Sequence, residues 1–86
     1  MNTLTFGDAL IALKEGKKVA RSGWNGKGMF LFLGRNLEFD GPLIANEDEP
    51  PMYVPPSIIM KTADNQLVVG WLASQTDMLA NDWGIV

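Results

Sequence analysis

A chain of 86 residues with neither cysteine nor histidine must find its stability somewhere other than in a cross-link. Domains this small bury a limited share of their surface, and the usual remedies are disulfides, a structural metal or association. Composition excludes the first and removes the strongest ligands for the second. Association remains. The expectation is therefore a single domain over residues 1–86 that shares apolar surface with copies of itself. The apolar fraction of 47% is ordinary for a globular protein and argues against disorder. A chain without cysteine also suits a reducing compartment. The N-terminus lacks a basic start, Asp8 interrupts the first apolar run, and no stretch is long and apolar enough to span a bilayer. These features predict a cytoplasmic protein without membrane contact.

Charge is unevenly spread. The net charge is −3, yet six of the seven basic residues (Lys14, Lys17, Lys18, Arg21, Lys27 and Arg35) fall in one stretch that contains a single acid, Glu15. Glu38, Asp40, Glu47, Asp48 and Glu49 follow without an intervening base. Overall acidity excludes duplex nucleic acid as a partner, because such binding rests on many phosphate contacts. The basic segment is compatible with a small anionic ligand, although Lys14, Lys17 and Lys18 read more simply as a solvated turn.

Local patterns give an α+β fold: one N-terminal helix packed on a small antiparallel β-sheet, with a short C-terminal helical turn. Thr5 and Asp8 are spaced as a helix N-cap pair, Ala9, Leu10, Ala12 and Leu13 form an apolar face, and Gly16 ends a helix over Phe6–Glu15. Lys17–Arg21 reads as a strand, Ser22–Gly28 as a Gly-rich loop, and Met29–Leu33 as a buried strand. Leu37–Phe39 could pair back as a ribbon, and Gly41–Pro56 is a Pro-rich acidic loop. Ser57–Thr62 and Leu67–Leu72 form a hairpin, with Ile58 and Met60 on one face and Asp64 shaping the turn. A helical turn through Met78, Leu79 and Ala80 follows, and Asp82–Val86 reads as an edge strand.

Chemistry is constrained mainly by what is missing. Without histidine or cysteine there is no ready acid–base group at neutral pH and no thiol nucleophile. A metal site built from Asp77 and Asp82 alone would lack ligands. Binding is favoured over catalysis, with neither cofactor nor metal expected. Two segments offer binding groups. In the first, Gly26 lets the backbone approach a ligand, Arg21 and Lys27 supply charge, Asn25 adds an amide, and Trp24 is either a stacking platform for a base or a core plug. In the second, Ser74, Gln75, Thr76 and Asp77 lie where a strand passes into a helical turn. Such a junction exposes free N–H groups, and hydroxyls and a carboxylate stand beside them. Ser74 or Thr76 could equally be a plain helix cap. Trp71 poses the same choice as Trp24, and Trp83 is assigned to packing or a subunit interface.

Taken in order, Phe6-Gly7-Asp8-Ala9-Leu10, Gly16-Lys17-Lys18-Val19-Ala20-Arg21, Gly23-Trp24-Asn25-Gly26-Lys27-Gly28-Met29, Trp71-Leu72-Ala73-Ser74-Gln75-Thr76-Asp77-Met78-Leu79 and Asp82-Trp83 resemble the second Thoeris anti-defence family of phage proteins. The resemblance runs from Leu4 to Val86 and is least distinctive over Arg35–Pro56. It implies a sponge: a homotetramer that binds a cyclic ADP-ribose isomer at subunit interfaces without cleaving it. Defence effectors then stay inactive. It further implies cyclic di- or trinucleotides as additional ligands and the host cytoplasm as the place of action. The chemistry of the two segments, each offering half of a nucleotide site, places Arg21 and Lys27 against phosphates, Trp24 and Trp71 against a base, and Asp77, repelled by phosphate, against ribose hydroxyls. The competing classes are a phosphodiesterase acting on the same ligand, a single-stranded nucleic-acid module and a protein-only inhibitor using the acidic loop.

Overall fold

The computed structural model describes residues 2–35 and 55–86. The expected ribbon at residues 37–39 and the Pro-rich loop as far as residue 54 lie outside the described residues.

Helix α1 spans Phe6–Lys14. Its start is a capping box. Asp8 N donates to Thr5 Oγ1 at 3.1 Å, and Thr5 N donates to Asp8 Oδ2 at 3.0 Å. Its end is a Schellman turn. Gly16 takes a φ of +85°, Gly16 N donates to Leu13 O, and Lys17 N reaches back to Ala12 O, both at 3.0 Å. Ala9, Ala12 and Leu13 form the buried stripe that the sequence pattern predicts.

Five strands follow: β1 (Val19–Arg21), β2 (Phe30–Gly34), β3 (Ser57–Lys61), β4 (Leu67–Val69) and β5 (Trp83–Ile85), with a short helix α2 (Gln75–Leu79) before the last. They make one antiparallel sheet in the order β4-β3-β2-β1-β5. The α+β expectation holds. Register places Val19, Leu31, Met60 and Val68 opposite one another across four strands. The first three of these close a core with Ala9, Ala12 and Leu13 of α1 and with Trp83. So α1 covers one face of the sheet near its β1–β5 end.

Several expected strands are shorter than their sequence patterns. β1 begins at Val19 rather than Lys17, because Lys17 N completes the helix terminus. β4 stops at Val69 rather than Leu72. Gly70, at φ +79°, turns the chain so that the N–H groups of both Gly70 and Trp71 donate to Ile58 O. Ile58 and Met60 share the core face as predicted, yet Ile59 on the opposite face is buried too. Register explains it: Ile59 sits on a central strand between Phe32 and Val69. The turn after β3 has Asn65 in the left-handed region, and the Thr62 hydroxyl donates to Asp64. β5 is an edge strand, as expected, with a backbone bridge from Leu4 on its outer side.

Candidate ligand-binding site

The two segments singled out in the sequence meet at one corner of the fold, and Asp77 is where they meet. α2 begins with a second capping box. Asp77 N donates to Ser74 Oγ at 3.1 Å, and the Ser74 hydroxyl and N–H donate to Asp77 Oδ2 at 2.9 and 3.3 Å. Ser74 is therefore the helix cap, and its hydroxyl is engaged. The other carboxylate oxygen, Oδ1, faces the first segment. It accepts from Arg21 Nη1 at 2.7 Å and from the Trp24 indole N–H at 3.2 Å. The Asp77 carbonyl accepts the Trp83 indole N–H at 2.9 Å. One residue thus joins β1, the Gly-rich loop, α2 and the core tryptophan.

Arg21 lies between two carboxylates. Its Nε donates to Asp82 Oδ1 at 2.8 Å while Nη1 holds Asp77, and the Arg21 and Asp77 side chains are each only 14% exposed. Asp82 Oδ2 also accepts the Gly23 N–H at 2.8 Å and the Ser22 hydroxyl at 3.3 Å. This carboxylate therefore fixes the entry to the loop. A side chain at Gly23 would displace this carboxylate, because a Cβ there would stand 2.8 Å from Asp82 Oδ2. The ionic state follows from these contacts. The hydrogen bonds that Arg21 donates to Asp82 and then to Asp77 raise its pKa. The Arg21 hydrogen bond holds Asp82 below the usual carboxylate range, against a smaller opposing effect of burial. For Asp77 burial pushes upward, but Arg21, Trp24 and Ser74 together bring it below its ordinary value.

Arg21, expected to face phosphate, and Asp77, expected to take ribose hydroxyls, are paired with each other. Attraction between a guanidinium on a strand and a nearby carboxylate on a helix explains the pairing, which no local pattern foretells because 56 positions separate the two. Asp82, which sequence offers only as part of an incomplete metal site, is the loop's anchor. Its position next to Trp83, a residue that sequence assigns to packing or an interface, is the signal that could have found it.

Trp24, Trp71 and Trp83 form a cluster of edge-on rings, with centroids 5.4, 6.3 and 6.4 Å apart. Trp83 is core, whereas Trp24 and Trp71 are half-buried and pack against it. Neither alternative posed for Trp24 is complete, because the ring both plugs the core edge and keeps part of its surface in solvent. Gly26 is pressed against the hairpin turn, since a Cβ there would lie 2.8 Å from Ala63 Cβ and 2.5 Å from Met29 Sδ. Asn25, Lys27, Gln75 and Thr76 are exposed. Lys27 makes no ion pair among the described residues.

The model of a family described as the Thoeris anti-defense 2-like domain matches residues 4–86. The chain belongs to that family. A curated member named Thoeris anti-defense 2, from Bacillus phage SP01, is 47% identical over 85 residues, covering 96% of this chain and 94% of that protein. The Thoeris anti-defense 2-like match takes in both segments of the site and the core between them. No helix of the described residues is long and apolar enough to cross a membrane.

Proposed function

We propose that this chain sequesters a cyclic ADP-ribose isomer without cleaving it, so keeping an immune signal from the effectors of a bacterial anti-phage defence. Family membership supports the anti-defence role. The observation that carries the binding reading is the joining of the two segments through Asp77, with two half-buried tryptophans beside exposed polar groups. Lys27 takes a phosphate, the accessible faces of Trp24 and Trp71 take a base, and Asn25, Gln75 and Thr76 serve ribose or base edges. Arg21 and Asp77 hold the two halves in register. Sequestration rather than hydrolysis is supported by the state of the carboxylates. Asp77 and Asp82 are both held below the ordinary range, the opposite of what a general acid at neutral pH requires. The resemblance supports a homotetramer acting in the host cytoplasm, and cyclic di- or trinucleotides as additional ligands.

Calorimetry with a cyclic ADP-ribose isomer, followed by denaturation and chromatography of the released ligand, tests this directly. Stoichiometric binding and recovery of unchanged ligand are expected. Turnover beyond one equivalent, or absence of binding, would overturn the proposal. Trp24→Ala removes a stacking surface worth roughly 1–3 kcal/mol, a weakening of about five- to hundred-fold. Trp24→Phe keeps a ring but loses the bond to Asp77, and so separates stacking from positioning.

A further inference from the structure

The two edges of the sheet are finished differently. The chain's own N-terminal segment closes β5: Leu4 N donates to Trp83 O at 2.8 Å and Trp83 N donates to Leu4 O at 3.1 Å. At the other end β4 pairs only with β3 among the described residues. Natural edges are usually blunted by lysine, proline or a bulge, because a bare edge invites another strand. Here the run Asn65–Thr76 contains no charged residue and no proline. Leu67, Val68 and Val69 are 61%, 45% and 55% exposed, so apolar side chains stand bare on both faces of the edge.

Hydrogen bonding shows which main-chain groups of β4 are left without a partner among the described residues. Gln66 O accepts from Thr62 N, and Gly70 N donates to Ile58 O. Antiparallel ladders alternate with period two, so Val68 directs its N–H and C=O toward β3 while Leu67 and Val69 direct theirs outward. An edge of this form is self-complementary. Under a two-fold axis through Val68, Leu67 of each copy opposes Val69 of the other. Each of these two pairs exchanges two hydrogen bonds.

We propose that β4 is a subunit interface, pairing antiparallel with β4 of a second copy about a two-fold axis at Val68. This rests on the self-association proposed above and assigns it a surface. The occupant is a copy of this chain because the length matches. β4 is bounded by Asn65 at φ 69° and Gly70 at φ 79°, so a longer foreign strand would find only three residues to pair with. No like charges meet under this operation, since none lies in the run. On the open face, the row Phe32–Ile59–Val69 continues into Leu67 of the partner subunit. The hairpin turn of one copy, on which Gly26 rests, is thereby seated near the Gly70–Trp71 corner of the other.

The absence of native cysteine makes the test clean. Directly opposed residues of a non-hydrogen-bonded antiparallel pair have Cα atoms about 4.5 Å apart, within disulfide reach. Val68→Cys is expected to convert almost wholly to covalent dimer under mild oxidation, at a rate that dilution does not slow. Lys17→Cys, exposed beyond the end of α1, should remain uncrosslinked. A second variant, Val69→Pro, deletes an outward N–H that β3 does not use, and should halve the mass found by light scattering while leaving the circular dichroism spectrum unchanged. An oligomer that persists with Val68→Cys uncrosslinked, or with Val69→Pro at full mass, would place the interface elsewhere. A wild-type monomer at micromolar concentration would remove both this interface and the self-association reading.

Discussion

Replacing Arg21 by methionine keeps most of the apolar stem and removes the cation between two carboxylates. The Arg21–Asp77 contact is 2.7 Å long with both side chains 14% exposed. Taking one partner from a fully buried pair costs about 3–5 kcal/mol, because the remaining charge is left unmatched. Partial solvent access lowers this, and a loss of about 2–3 kcal/mol is expected from the Asp77 side alone. The wetter contact with Asp82 is left out of that figure. For a domain of this size each kcal/mol moves the melting temperature by roughly 4–8 °C, so a fall of roughly 10–20 °C follows. The assay is thermal unfolding at fixed protein concentration, at pH 7 and again near pH 3. In the wild type Asp77 and Asp82 have folded-state pKa values below the ordinary one. Their contribution is therefore complete above the unfolded pKa and is lost as pH falls through the folded value. The variant has little of this contribution to lose. The gap between the two proteins must narrow in acid. A gap equally wide at both pH values would show that packing rather than charge holds the corner together. A fall of under about 4 °C at pH 7 would show that the pair is worth less than about 1 kcal/mol and would refute this estimate.

Ser74→Ala, which removes the α2 cap, should cost about 1 kcal/mol by chemical denaturation, and ligand affinity should fall with it because Asp77 loses a partner. Gly26→Ala should destabilise by roughly 1–3 kcal/mol, since its new methyl meets Ala63 and Met29, and adding Met29→Ala should recover part of the loss on urea titration. Leu13→Ala, at the centre of the α1–sheet contact, should cost about 2–5 kcal/mol without changing ligand stoichiometry in calorimetry on the folded fraction.

Much of the fold could be read in advance because its signals are local. The Thr5–Asp8 and Gly16 signals bracket α1 correctly, and the hairpin follows from two apolar runs around a polar turn. Strand ends were harder, because hydrogen bonds to distant residues set them: Ile58 O takes two donors and so ends β4. At the site, which segments matter was legible from glycine, tryptophan and hydroxyl content. How they are wired was not. Arg21 and Asp77 are 56 positions apart in the chain. A cation in one candidate segment and an anion in another suggest two ligand contacts until the fold shows them paired. Trp83 behaves conversely. Read from sequence as packing or a subunit interface, it is fully buried in the core, where α1 and the sheet close over it.

Helix α2 has five residues, none of them buried. A helix so short has no standing of its own in water, since nucleation is costly and there are few bonds to repay it. What sustains it is Asp77, whose backbone and carboxylate are tied to Ser74, Arg21, Trp24 and Trp83 at once. The corner therefore opens as one body. When α2 frays, the indole N–H groups of Trp24 and Trp83 are released in the same event, and Arg21 loses one of its two anchors. The amide protons of α2 and the indole protons of Trp24 and Trp83 are therefore expected to exchange together, although 56 positions separate Arg21 from Asp77.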